Sequence, residues 1–173
     1  SRHYAGVAVF YDKLWLMGGE HVAKSVGFPL NDIWSTVDGL NWTCVLSNAS
    51  WSIRAFQSLL PFSSQFFMLG GGVYQDGLLV RKYNEVWSSR DGTEWARDLE
   101  APWEARDGQA AVVTSEGLMI IGGKNDITSL SDVWLLQMKV AKSSDGFWDW
   151  LLLPHNYRIV GAVSLAMFAI VLL

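Results

Sequence analysis

The chain has 173 residues, half of them apolar, and a formal net charge of −4, which is enough apolar material for one ordinary core. Only 17% of residues are charged, and Lys and Arg do not cluster, so the basic footprint that nucleic-acid binding needs is excluded. The single cysteine, Cys44, excludes an internal disulfide and any cysteine-based metal cage, and leaves the compartment open.

One period organises the soluble part. Arg2, Arg54 and Arg106 stand 52 residues apart, as do Trp51 and Trp103, while Trp42, Trp95 and Trp148 are separated by 53. Trp34 and Trp87 differ by 53, and Trp134 follows after 47. Eight of the ten tryptophans therefore fall at repeat phases, which points to structural rings. Each unit parses into four short strands. The first is expected over Ala5 to Phe10, Phe56 to Leu60 and Gln109 to Thr114. The second, over Leu14 to Met17, Gln65 to Leu69 and Leu118 to Ile121, is a nearly continuous apolar run of the kind a strand buried on both faces requires. The doublets Gly18-Gly19, Gly71-Gly72 and Gly122-Gly123 end it and fit a close backbone approach. After a connection of about ten residues, strand three is expected over Asp32 to Ser35, Glu85 to Ser88 and Asp132 to Leu136, and strand four around Trp42, Trp95 and Trp148. Between them, Asp38-Gly39 and Asp91-Gly92 supply tight turns, with Gly taking φ > 0 and Asp accepting from turn amides.

Four-stranded units of about 50 residues with a glycine doublet and a recurrent Trp resemble kelch repeats. The residues that carry the resemblance are the doublets, then Asn-Asp-Ile-Trp34, Asn-Glu-Val-Trp87 and Ser-Asp-Val-Trp134, then Trp42, Trp95 and Trp148. It covers residues 2 to about 150 and implies an all-β, partial kelch-like β-propeller of three four-stranded antiparallel blades, over 1–48, 49–100 and 101–150. The Asp-Gly turns also look like shortened versions of the Asp-box of sialidase-type propellers, one residue short between Asp and Gly. Three blades cannot close a ring that takes about four to eight, and each open flank would expose an apolar sheet face. The chain opens at a repeat boundary without an initiator Met. The expectation is that these are the last three blades of a longer propeller, completed by upstream blades or by another chain.

After Trp150 the composition changes. Ile159 to Leu173 contains no charge and only Ser164 is polar. Fifteen residues are short of the roughly 20 a span needs, but a helix begun just after Pro154 is adequate, with Tyr157 and Arg158 at the interface. A transmembrane helix over 155–173 is the expectation, with a cleaved lipid-anchor signal and a buried helix as the other readings. Asn41-Trp-Thr43 and Asn48-Ala-Ser50 fit the N-glycosylation pattern. They lean the single-pass reading toward an extracytoplasmic propeller, whereas Arg158 on the propeller side leans the other way.

Chemistry is sparse. His3, His21 and His155 lack metal-ligand spacing with one another and have no carboxylate or cysteine at ligand spacing, so no metal site and no cofactor is expected. Galactose oxidase shares the kelch-type propeller, but none of its copper site carries over to Cys44. Arg2, Arg54 and Arg106 could hold a carboxylate together, yet their regular phase favours bonding to backbone carbonyls or stacking on Trp. The connections Glu20 to Leu30, Val73 to Tyr83 and Lys124 to Leu130 vary while the strands keep phase, which is where specificity usually lives. In the kelch family such loops commonly contact partner proteins, making Tyr74, Gln75, Arg81, Lys82, Lys124 and Asn125 the candidate partner-binding residues. The expected function is a non-enzymatic, membrane-anchored scaffold or accessory subunit, with integral membrane subunits contacting the C-terminal helix. A glycan-binding or sialidase-like ectodomain is the alternative.

Overall fold

The computed structural model describes residues 1–23, 26–75, 77–138 and 157–164, and every regular element among them is a β-strand. In chain order these are β1 (Arg2–His3), β2 (Gly6–Phe10), β3 (Lys13–Met17), β4 (Glu20–Ala23), β5 (Val26–Pro29), β6 (Ile33–Thr36) and β7 (Thr43–Leu46). The second unit supplies β8 (Ser58–Phe62), β9 (Gln65–Leu69), β10 (Gly72–Gln75), β11 (Leu78–Lys82), β12 (Glu85–Ser89) and β13 (Ala96–Glu100). The third supplies β14 (Ala110–Thr114), β15 (Gly117–Ile121), β16 (Asp132–Met138) and β17 (Tyr157–Ser164).

Three four-stranded antiparallel sheets result, ordered β2-β3-β6-β7, β8-β9-β12-β13 and β14-β15-β16-β17. Each runs up and down in chain order, as strands joined by tight connections do. The architecture is consistent with a β-propeller-like fold. Strands one to three begin or end within a residue or two of the sequence expectation. Strand four does not begin at its tryptophan: β7 and β13 start just after Trp42 and Trp95, because each Asp-Gly turn extends as far as its Trp. The Trp95 indole N–H reaches the Gly92 carbonyl at 3.2 Å.

The sheets stack through two apolar layers. Phe10, Trp15, Met17 and Ile33 of the first sheet meet Leu59, Phe66 and Met68 of the second, with Trp51 between them. Phe67, Leu69 and Val86 of the second meet Leu118, Ile120 and Leu136 of the third, with Trp103 alongside. Alternation along β9 sends Phe66 and Met68 to one layer and Phe67 and Leu69 to the other. That is why this strand carries no polar residue between Gln65 and the glycines.

The third sheet departs from expectation at its outer strand. β17 pairs with β16 from Met138 opposite Tyr157 to Asp132 opposite Ser164, so the helix expected over 155–173 is not formed across these eight residues. Extended backbone there completes the third sheet's ladder. Residues 155, 156 and 165–173, and Trp148 with its expected strand, lie outside the described residues. No helix among the described residues is long and apolar enough to cross a membrane.

Candidate functional site

The three phase-matched arginines perform one structural task in triplicate. Arg2 donates to the Gly18 carbonyl at 2.8 Å and to both Asp32 carboxylate oxygens at 2.6 Å. Arg54 donates to the Gly70 carbonyl at 3.1 Å and to Glu85 at 2.7 Å. Arg106 donates to the Gly122 carbonyl at 2.9 Å and to Asp132 at 2.5 and 2.7 Å. The acid stands two residues before the repeat tryptophan and also accepts the indole N–H, from Trp34 to Asp32, Trp87 to Glu85 and Trp134 to Asp132, at 2.7, 2.9 and 2.6 Å. Each arginine thus ties the entry of strand one to the end of strand two and the start of strand three within its own unit. Each guanidinium is spent on the acid and carbonyl of its own unit, and those of Arg54 and Arg106 are buried rather than open to a pocket. The sequence reading had the carbonyl partners but missed the acids, although an acid at a fixed place before Trp in all three copies was signal enough.

Electrostatics follows from this wiring. Burial raises the pKa of Glu85, but hydrogen bonds from Arg54 and Trp87 and the charges of Arg54 and Arg97 outweigh it, leaving a net lowering. Asp32 behaves alike, with burial opposed by Arg2 and Trp34. For Asp132 the Arg106 hydrogen bond is the largest influence, and it too lies low. All three carboxylates are held ionised near neutrality, so none is poised as a general acid there.

Asp38 and Asp91 are turn caps. Asp38 accepts the Leu40 and Asn41 amides, both at 2.8 Å, and Asp91 those of Thr93 and Glu94 at 2.7 and 3.0 Å. Thr36 and Ser89 hydroxyls accept the Gly39 and Gly92 amides at 3.0 and 2.8 Å. Bonds from the Asn41 backbone and side chain hold Asp38 well below the ordinary carboxylate range. Cys44 is exposed on β7. It lies on the outer strand of the first sheet, where no neighbour covers it.

The variable connections are hairpins rather than open loops. β4 and β5 form one, with β1 added alongside, and β10 and β11 form the second. In the third unit the hairpin shrinks to bridges joining Asp107 with Lys124 and Lys124 with Ser129. Asn125 closes its turn by accepting the Ile127 and Thr128 amides at 2.9 and 2.7 Å. All three share the end of the stack at which the glycine doublets lie, and β5 packs beside β10.

Four of the six candidate residues come together here, around Asp107. Tyr74 hydroxyl donates to Asp107 Oδ2, and the Lys82 ammonium lies 3.3 Å from Asp107 Oδ1. Lys82 also donates to the Lys124 and Asn125 carbonyls at 3.0 and 2.7 Å, and the Lys124 ammonium stands 5.9 Å from the centre of the Tyr74 ring. Burial, then the Asp107 hydrogen bond and charge, push the Tyr74 pKa up, so it stays protonated as a donor. Lys82 is buried and spent on cross-linking the second and third hairpins. Gln75 and Arg81 are exposed and lie outside this cluster, Arg81 being 5.2 Å from the centre of the Tyr83 ring. The sequence reading missed Asp107, which the network needs, and the exposed apolar residues beside it. Those are Phe28 on β5, Leu78 and Val80 on β11, and Ile127, with Leu78 73% and Ile127 92% exposed. Among the described residues no cluster of His, Cys, Asp and Glu is arranged to hold a metal.

No protein-family model matches this chain, and no curated protein matches it. A solved structure titled "Structure of YjhT" superposes on it with a TM-score of 0.65 at 17% identity, covering 79% of this chain and 49% of that one. This chain therefore spans about half the length of the solved chain it resembles, and at that identity the likeness concerns the fold alone.

Proposed function

We propose that the chain is a three-blade stretch of a kelch-like β-propeller that acts without catalysis, through protein contacts made at its hairpin end. The observation that carries this reading is the apolar exposure of Phe28, Leu78, Val80 and Ile127 on the three segments that vary between units, with the exposed cations Arg81 and Lys124 beside them. Apolar side chains presented by variable connections on a regular scaffold are what a partner surface requires. The engagement of the repeat arginines in the scaffold itself also supports it, since these are the groups a sialidase-like reading would need free to hold a carboxylate together. Purified chain carrying Leu78→Asp and Ile127→Asp together is expected to lose the proteins that cross-link to the wild-type chain in its native membranes, with an unchanged unfolding midpoint. Identical cross-linking by both chains would remove the reading.

The proposal includes attachment to a membrane, carried by the apolar run Ile159 to Leu173. This run and β17 share Ile159 to Ser164, and one segment cannot be an outer strand and a spanning helix at once. Alkaline extraction that leaves the chain in the membrane pellet supports attachment, and release into the supernatant removes it. A glycan-binding reading draws on one observation. Tyr4 stacks on Phe56 with centroids 3.9 Å apart, and Phe56 meets the edge of Tyr74 at 5.5 Å, a partly open aromatic row on which a sugar ring could stack. Glycan-array binding abolished by Tyr4→Ala would favour it.

A further inference from the structure

The outer strands of the first two sheets hold the same place in the fold and differ in chemistry. β7 and β13 are the last strands of their sheets, and among the described residues each pairs on one side only, with β6 and β12. An outer edge of this kind presents unpaired amide and carbonyl groups, and folded chains blunt it with charge. β13 follows that rule, with Arg97 41% and Glu100 64% exposed along it. β7 reads Thr-Cys-Val-Leu and carries no charge, although Thr43 and Cys44 are exposed. It is flanked instead by two N-glycosylation patterns, Asn41-Trp-Thr43 at its entry and Asn48-Ala-Ser50 at its exit.

The two asparagines are not equivalent. Asn41 is built into the turn that Asp38 caps: its backbone N–H donates to Asp38 Oδ1 at 2.8 Å and its carboxamide to Oδ2 at 2.7 Å. That turn closes among neighbouring residues alone, so it engages the Asn41 carboxamide before any sheet forms. The Asn48 side chain is exposed and makes no hydrogen bond among the described residues. Its segment alternates: Ala49 is buried, with its amide on the Asn31 carbonyl at 2.9 Å, while Asn48 and Ser50 face outward. The second unit repeats this geometry in Glu100-Ala101, where Ala101 is buried with its amide on the Asn84 carbonyl at 2.9 Å and Glu100 faces solvent. One position is thus presented outward in both copies, and it holds a carboxylate in one and an acceptor asparagine in the other. The segment lies against the second unit, Ser50 hydroxyl donating to the Trp95 carbonyl at 3.3 Å, so its exposure is not that of a chain end.

We propose that Asn48 carries an N-linked glycan, the only one of the two patterns to do so, and that this glycan shields the uncharged edge of β7 as charge shields β13. A glycan is bulky, solubilising and confined to the surface, which suits an open strand edge and leaves buried Ala49 undisturbed. The donor is an oligosaccharide joined through a diphosphate to a membrane lipid. Asn48 Nδ2 bonds to the anomeric carbon, the bond from that carbon to the diphosphate oxygen breaks, one Nδ2 proton is lost and the lipid diphosphate leaves. The transferring enzyme reads the hydroxyl two residues on, that of Ser50. The glycan places this part of the chain on the lumenal or outer side of a membrane. It does not depend on partner contacts at the hairpin end, and its absence would leave that reading standing.

Full chain isolated from its native cells should lose mass on treatment with peptide-N-glycosidase, and residue 48 should then read as aspartate by mass spectrometry. Asn48→Gln and Ser50→Ala should each abolish the mass shift, Ser50→Thr, which keeps the hydroxyl, should retain it, and Asn41→Gln should leave it whole. Asn48 and Ser50 are exposed, so unchanged unfolding midpoints in dilute solution confirm that the variants fold. Shielding is read separately by light scattering under reducing conditions, which keep Cys44 from linking chains. The Asn48→Gln chain should aggregate at a several-fold lower concentration than wild type, and Thr43→Lys added to it, which puts a charge on the open edge, should restore the wild-type threshold. No mass shift, a shift that survives Asn48→Gln, or one reduced by Asn41→Gln overturns the assignment. A shift confined to Asn48 with unchanged aggregation of Asn48→Gln overturns the shielding of β7.

Discussion

The first and second sheets carry the same pattern in the same register, yet the second is closed on both faces and the first on one. Arg54 has a fully buried side chain whereas Arg2 keeps 21% of its own exposed, while their acids differ little, Glu85 at 11% and Asp32 at 16%. Leu59 is buried where Val7 is open, and Trp95 stacks on Phe66 where Trp42 faces outward. Local sequence decides which side chains are offered to a layer, and the neighbouring sheet decides what they are worth. Matched substitutions in the two sheets measure that difference.

The arginine pair should separate them most. Arg54→Ala removes one donor from Glu85, which keeps Trp87 and Arg97, and leaves the Gly70 carbonyl short of its side-chain donor, a loss of about 3 kcal/mol, the lower end for a broken buried pair. Arg2→Ala, at the half-open pair, should cost about 1–2 kcal/mol. Urea unfolding of the two variants reads the difference directly, and equal losses would mean that the outer sheet is covered in solution. Acid sharpens the test. Asp32, Glu85 and Asp132 all have lowered pKa values in the folded chain. Their contribution is therefore complete above the unfolded carboxylate range of about 4 and disappears as pH falls through the folded values. The urea midpoint should hold from pH 7 to about 5 and then drop. In Arg54→Ala the drop should be smaller, because Glu85 keeps the burial that raises its pKa and loses the Arg54 bond and charge that lower it, so its protonation takes less stability away as the pH falls.

Apolar truncation comes next in size. Leu59→Ala should cost about 2–3 kcal/mol, as buried leucines do, and Val7→Ala less than about 0.5 kcal/mol, as exposed positions do. Chemical denaturation at low protein concentration, where any pairing of copies is absent, is the measurement. A cost at Val7 that grows with concentration would place that face in an interface.

Much of this was legible in the chain itself. The spacing of arginines, glycine doublets and tryptophans predicts twelve core strands as three sets of four, and the nine that make up strands one to three fall within two residues of expectation, because apolar alternation and glycine punctuation are local properties. The fourth strands were displaced past Trp42 and Trp95, since a turn that caps itself through Asp38 or Asp91 consumes the residues up to its Trp. Long-range partners were less legible. The Arg54 to Glu85 and Tyr74 to Asp107 bonds join residues 31 and 33 positions apart; the first forms only when the unit's own sheet closes and the second only when two units stack. The hairpins were read as loops because their lengths and compositions follow no period, although Gly77 at φ 77° forms a turn of the kind that joins two strands. At the C-terminal end, apolar content suits a helix in lipid and a strand in a sheet equally well, and β17 is the strand.

The smallest effect separates a bond from a contact. Gln57 bridges the first two sheets by one Nε2 donor to the Met17 carbonyl, while its buried Oε1 accepts nothing from the described chain. Gln57→Leu removes the donor and leaves the Met17 carbonyl short, a loss of about 1 kcal/mol, but it also removes an acceptor that burial had stripped of water, which returns a similar amount. The net change in unfolding free energy should stay below about 1 kcal/mol. Gln57→Glu keeps the shape, removes the donor and adds a charge facing a carbonyl, and it should cost more than the leucine. If the leucine proves the worse of the two, the glutamine acts by the fit of its side chain between the sheets.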